Sequence, residues 1–353
     1  MYTLLIFHSF INILLLIKFV RNQYFSLLYL SVEPYLVRYN SMRLKKFVLV
    51  LFSGLFYSTV FGQQDPQFSQ VMFNQMSINP GYAGSNDMIN ANTINRIQWV
   101  GFDGAPSTSS FTINSPITPF GFKSGAGLNI LTDNPGFNKD LGLSFSYAAR
   151  FKAGKGNLGV GTSIGFINNS IDPNWNFPNV SADNAIPQGK QSSVNFDLGF
   201  GLYYNTDNMF FGLSATHLNG TKMNKSINPS HYSRQYYLTG GYVLNLPNPS
   251  WQFSPSAYVV SDLVLSQFSL SANLKYNKKF WGGVSYRIGR LGEAVTGMLG
   301  IELFNGLKIG YAYEFSMREI SNYNDGSHEF MLGYSFKLKK ERPPQQFKSI
   351  RFL

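Results

Sequence analysis

The chain has 353 residues, no cysteine and a formal net charge of +11, yet only 13% of its residues are charged. The missing cysteines exclude a disulfide framework and thiolate chemistry. The positive charge gathers in residues 1–62 and from Lys339 onward, so the nearly neutral body lacks the basic face that nucleic-acid binding needs, and nucleic acid is excluded as a partner.

In chain order, Met42-Arg43-Leu44-Lys45-Lys46 precedes an apolar run over residues 47–61, the arrangement of a signal peptide. Val60 and Gly62 supply the small residues of a cleavage site, so residues 42–62 would be removed between Gly62 and Gln63. Residues 1–41 read as an upstream extension, with translation starting at Met42, because a complete signal peptide has little purpose inside a chain. The alternative is a membrane anchor over Leu4–Val20, an apolar stretch broken by His8, Asn12 and Lys18.

Residues 63–87 form an arm, periplasmic or plugging, before the first strand. Phe68, Val71, Met72 and Gln75 have helical spacing behind Asp65-Pro66, which predicts a short helix or turn-rich segment ended by Asn79-Pro80-Gly81. Alternating apolar and polar residues then predict strands over 88–99, 108–116, 124–132, 139–152, 156–168, 193–205, 208–217, 234–246, 251–260, 266–276, 279–289, 294–304, 306–317 and 327–338. The stretch Ser193–His217 is the clearest. Val194, Phe196, Leu198, Phe200, Leu202 and Tyr204 share one parity, and a turn at Asn205–Asn208 sends the chain back.

These strands are longer than the five to six residues usual in soluble domains, and they suit the roughly 9–11 tilted residues of a membrane crossing. Every second connection is short, as at Ala153–Lys155 and Asn277–Lys278, whereas Asn169–Ser192, Leu218–Ser233 and Arg318–Gly326 are long. Ile117–Lys123 is the exception, longer than its rim predicts. Short turns on one rim and long loops on the other mark an outer-membrane barrel. The fold expected is therefore all-β, a transmembrane outer-membrane β-barrel of about 14 antiparallel strands over residues 88–338. It carries a short N-terminal arm and a basic periplasmic tail over residues 339–353, broken by Pro343-Pro344. A soluble sandwich or jelly roll would use shorter strands.

Catalytic chemistry is not evident. His217, His231 and His328 lack metal-ligand spacing and read as surface residues; Asp172, Asp183, Asp207 and Asp325 read as turn formers. No nucleophile elbow or phosphate loop is present, so no enzyme activity, cofactor or metal is expected. Arg150, Lys152, Asp197, Lys275, Arg287, Glu302, Lys308 and Glu314 fall on the inward parity, where mixed signs suit mutual neutralisation in a filled interior better than a conducting pore.

The segment from Asp65 to Asp87, followed by Arg96–Ile117, resembles the N-terminal signature of the PorP/SprF family of outer-membrane proteins from the Bacteroidetes type IX secretion and gliding machinery. The matching residues are Gln67, Phe68, Ser69, Gln70, Asn74, Asn79, Pro80, Tyr82, Ala83, Gly84, Arg96, Gln98, Trp99, Gly104, Ala105, Pro106 and Thr108. The resemblance implies a non-enzymatic barrel in the outer membrane, in contact with its lipid. Its implied partners are a secreted surface protein, adhesin-like and bearing a type IX C-terminal signal domain, and periplasmic components of the secretion and gliding machinery. Trp99, Phe102, Trp175 and Phe177 are the candidate partner anchors, since aromatics dominate binding hot spots; girdle residues near the rim are the alternative. The rival function is a passive porin or small-solute transporter.

Overall fold

The computed structural model describes residues 65–171, 189–220, 232–289, 292–303, 306–317 and 319–337. The cleavage position Gly62–Gln63, the aromatics Trp175 and Phe177, His231, most of the two longest loops and the basic tail lie outside the described residues.

Alternation in the sequence becomes strand. In order these are β1 (Ile89–Ile97), β2 (Ser107–Ile117), β3 (Ser124–Asn134), β4 (Asn138–Ala153) and β5 (Gly156–Ile171). Next come β6 (Gln191–Asn205), β7 (Met209–Thr216), β8 (Gln235–Tyr242), β9 (Leu244–Asn245) and β10 (Trp251–Ser261). The last are β11 (Ser266–Tyr276), β12 (Phe280–Gly289), β13 (Gly292–Leu303), β14 (Leu307–Ser316) and β15 (Ser327–Phe336). All pairings are antiparallel, and β1 closes the ring on β15 from Ile89 opposite Phe336 to Ile97 opposite His328. Pieces β8 and β9 both pair with β10 and are one strand interrupted at Val243, whose N–H turns to the Asn208 carbonyl at 2.7 Å. The barrel is thus a closed ring of 14 strand positions.

A closed ring leaves no unpaired sheet edge in hydrocarbon, which is what allows strands to span a membrane. Its two faces are inverted relative to a soluble protein. Phe145, Leu270, Leu299, Phe315, Phe330 and Leu332 are exposed on the outside, while Thr112, Ser146, Asp197, Thr296, Glu314 and Glu329 are buried inside. Among the described residues no helix is long and apolar enough to cross a membrane.

Several strand ends differ from expectation. The first strand stops at Ile97 instead of residue 99 because Trp99 adopts a φ of 51°, incompatible with an extended ladder. The fifth runs on to Ile171, three residues past the expected end at 168, pairing Ile171 with Gln191.

Residues 65–87 lie inside the ring, so over this length the arm is not a free periplasmic segment. It is a 3-10 turn at Val71–Phe73, a one-turn helix α1 (Gln75–Ile78) and a second 3-10 turn at Pro80–Tyr82. One continuous helix does not form because Asn74 and Asn79 turn to the barrel wall, and Asn79 Oδ1 accepts the Gly81 N–H at 2.9 Å. The arm's apolar residues reach opposite sides of the lumen. Phe68, Met72 and Phe73 pack with Ile94, Trp281, Met298 and Met331, Met76 and Ala83 with Ala148, and Val71 and Ile78 with Tyr237, Tyr258 and Val260.

Candidate functional site

The arm and the wall that grips it form the candidate site, held at three levels. Furthest from the short-turn rim, Arg96 of β1 is 2% exposed and Glu329 of β15 is 1% exposed. Arg96 Nη2 donates to Glu314 Oε1 at 2.6 Å, and Nη1 approaches Glu329 Oε2 at 3.4 Å. Arg287 Nη1 adds a contact to Glu314 Oε2 at 2.9 Å. Into this cluster the arm inserts backbone: the Ser69 and Gln70 N–H groups donate to the two Glu329 carboxylate oxygens at 2.7 and 2.8 Å. Ser69 Oγ donates to Glu314 Oε2 at 2.9 Å. Turn donors that would otherwise be orphaned are thereby satisfied by a charge that Arg96 in turn neutralises.

A second tie forms across the lumen. His217 Nε2 lies 2.8 Å from Asp65 Oδ1 and Nδ1 lies 2.8 Å from Asp197 Oδ1, while Tyr237 Oη donates to Asp65 Oδ2 at 2.6 Å. An imidazole flanked on both nitrogens by carboxylates donates from both, the bonding pattern of imidazolium. Burial alone would push the Asp65 carboxyl up, but His217, with Tyr237 and Thr216, more than offsets this and holds it below its ordinary value of 3.8. A carboxyl lowered on folding stabilises the docked arm above its unfolded pKa, and that stability is lost as pH falls through the folded one. The contribution of Asp65 to arm docking is therefore expected to be present above about pH 4 and to be lost as pH falls below 3.8. Protease sensitivity of the arm in detergent, compared with an Asp65→Asn variant that lacks this step, checks it.

The third level is a slot of backbone on backbone. Gly81 sits against Gly159 and Gly161 of β5 and Gly201 of β6; a Cβ built on Gly161 would stand 2.5 Å from the Pro80 carbonyl carbon and the Gly81 nitrogen. Beside it, Asn79 Nδ2 donates to the Leu202 carbonyl at 3.0 Å, and Arg150 Nη1 reaches the Gly81 and Ala83 carbonyls at 3.4 and 3.3 Å. Asn74 exchanges hydrogen bonds with Ser110 and Thr112 of β2 at 3.1 and 3.0 Å.

The structure sorts the sequence candidates by place. Phe68, Asn74, Asn79, Pro80, Tyr82, Ala83 and Gly84 lie in the arm, and Arg96 in its uppermost tie. Thr108 is buried in β2, donating to Asp133 at 2.6 Å. Gln98, Trp99, Gly104 and Pro106 belong to the loop after β1, where the Gln98 N–H donates to the Pro106 carbonyl and the Trp99 N–H to Ser327 Oγ. Phe102 in that loop is exposed. Of the inward charges, Lys275 pairs with Glu302 at 2.8 Å and Arg287 with Glu314, whereas Lys152 is exposed beside a short turn.

His217 departs from its expected surface position. It is 7% exposed, because Asp65 and Asp197 converge on it inside the lumen. His328 is half-buried, its Nδ1 2.7 Å from Tyr311 Oη. Glu329 was absent from the sequence candidates, although its alternation with Phe330 marks it as inward-facing.

Above the uppermost tie lies a cavity of about 940 Å³, lined by Asp65–Gln67 of the arm and by Arg96, Trp99, Arg287, Met317 and Ile320 among others. It opens among the long connections, with Trp99 and Ile320 on its rim.

Comparison with known proteins gives one family match, described as type IX secretion system membrane protein PorP/SprF, over residues 60–334. No curated protein matches the chain. Among solved structures, a triple mutant of the Rhodopseudomonas blastica porin is 11% identical, covers 70% of this chain and 99% of its own, and has a TM-score of 0.33. An outer membrane protein of Acinetobacter baumannii is 9% identical, covers 72% of this chain and 100% of its own, and has a TM-score of 0.40.

Proposed function

This chain belongs to the PorP/SprF family of type IX secretion system membrane proteins, and we propose that it serves that machinery as a closed docking barrel and not as a pore. Its place is the outer membrane. A secreted, adhesin-like surface protein would dock from outside, against the loop after β1 and the long loops Asn169–Ser192 and Leu218–Ser233. The basic tail over residues 339–353 would contact periplasmic secretion and gliding components. No step of chemistry is required of the barrel; it binds and holds.

One observation carries this reading. The arm crosses the lumen and is fixed there by buried charge and by backbone contact, an arrangement ill suited to steady solute flow. Trp99 supports the docking face, since a bulky residue at a φ of 51° is strained by roughly 1–3 kcal/mol and such strain collects at functional sites.

Affinity purification of the tagged protein from solubilised outer membranes of secreting cells tests the proposal. A large secreted surface protein or periplasmic ring components should co-purify. Replacing Trp99 and Phe102 together by alanine should reduce recovery of the surface protein by roughly 30-fold, the loss of a hot spot of about 2 kcal/mol. Recovery of the barrel alone from actively secreting cells would sink the docking reading.

A further inference from the structure

The direction of the arm has a topological consequence. β1 begins at the short-turn rim, where Ile89 pairs with Phe336. Read backward from there, Ser85 and Arg150-bound Ala83 lie near that rim, where the Ser85 carbonyl accepts from Asn205 at the end of β6. Gly81 and Asn79 sit a few residues higher against Gly201 and Leu202. Asn74 meets Ser110 and Thr112 in the middle of β2. Ser69 and Gln70 reach Glu329 and Glu314, each third from the long-loop end of its strand. Asp65, Pro66 and Gln67 then line the cavity whose rim includes Trp99, Met317 and Ile320. The arm runs antiparallel to β1 through the full lumen.

We propose that the amino-terminal end of the arm is presented at the cell surface, where Asp65–Gln67 form part of the outer vestibule that any partner from outside must meet. Outer-membrane barrels place short turns in the periplasm and longer loops outside, so a chain that starts β1 at the periplasmic rim has carried its preceding segment back up to the opposite one. If the chain is cleaved after Gly62, the two residues before Asp65 span at most about 7 Å, too short to return through the barrel. Polar groups on this vestibule are left unpaired: Gln67 Oε1, Arg96 Nε and Arg287 Nε have no hydrogen-bond partner among the described residues. These atoms are buried beneath the vestibule surface, and their residues Gln67, Arg96 and Arg287 line it, the first of them from the arm.

Because the chain has no cysteine, single-cysteine variants report position cleanly. Gln67→Cys and Asp87→Cys mark the two ends of the arm, and Phe102→Cys and Asp207→Cys mark the long-loop and short-turn rims. Each would be treated on intact cells with a small membrane-impermeant thiol reagent, after heat-modifiable gel migration shows that the barrel has formed. Gln67→Cys should label like Phe102→Cys, while Asp87→Cys should label like Asp207→Cys, only after the outer membrane is permeabilised. Labelling of Gln67→Cys only after permeabilisation, or under neither condition, overturns the proposal. An epitope inserted immediately before Asp65 gives a second reading: antibody should bind intact cells, and binding confined to permeabilised cells would contradict it. The inference rests on the barrel's orientation and not on docking. The Phe102 and Asp207 controls test that orientation separately, so failure of the docking reading leaves this result standing.

Discussion

Arg96→Met is expected to destabilise the protein by about 3–5 kcal/mol, the cost of stranding buried carboxylates without their counter-charge. Glu329 and Glu314 are both buried and both lean on this guanidinium, and Glu329 in turn receives the Ser69 and Gln70 N–H groups. The effect should therefore appear first in the arm. Protease should cut near residues 65–70 in folded barrels, and the temperature of heat-modified migration should fall on the order of 10 °C. Restoring charge balance should recover part of the loss: Glu329→Gln in the Arg96→Met background is expected to be more stable than Arg96→Met alone. Additive losses in the double variant would show that the cluster is not one coupled unit.

Gly161→Val should evict the middle of the arm while leaving the barrel able to form. The new Cβ would stand 2.5 Å from the backbone at Pro80 and Gly81, closer than side chains approach, and neither β5 nor the arm has a flexible group there to move aside. The strain is of order 1–3 kcal/mol or more, and it falls on contacts of the arm with β5 and β6, not on the β5 ladder. The expected result is folded barrel with faster cleavage of residues 79–84 and intermittent ion conductance in a planar bilayer. Gly297→Val is the control, since a Cβ there meets open space. Equal behaviour of the two variants would contradict the slot.

Much of the barrel was legible in the sequence, because strand parity is a local property. Leu143 and Phe145, Phe268 and Leu270, and Ile309 and Phe315 declare an apolar face residue by residue, and the spacing of turns sets the order of pairing. The break at Val243 was not legible. Alternation across 234–246 is insensitive to one amide that leaves the ladder for Asn208. The interior of the candidate site was harder still, because its partners are far apart in the chain. His217 looks like a surface residue until Asp65, 152 positions earlier, is placed against it. The helical spacing of Phe68, Val71, Met72 and Gln75 predicts a short helix or turn-rich segment but not what it touches, and a segment surrounded by wall needs contacts on every side. That is why Asn74 and Asn79, polar residues at 1% exposure, are as integral to it as Phe68. Glu329 was readable as inward-facing, but its role in receiving arm backbone depends on a fold that places residues 69 and 329 together.

Single-channel recording in a planar bilayer reports whether the arm seals the lumen. The intact protein should be silent at moderate voltage, and a variant lacking residues 65–86 that still migrates as a folded, heat-modifiable barrel should show steady conductance. A steady open channel from the intact protein, unchanged by removal of the arm, would mean that the arm does not seal the lumen and that the barrel works as a passive porin.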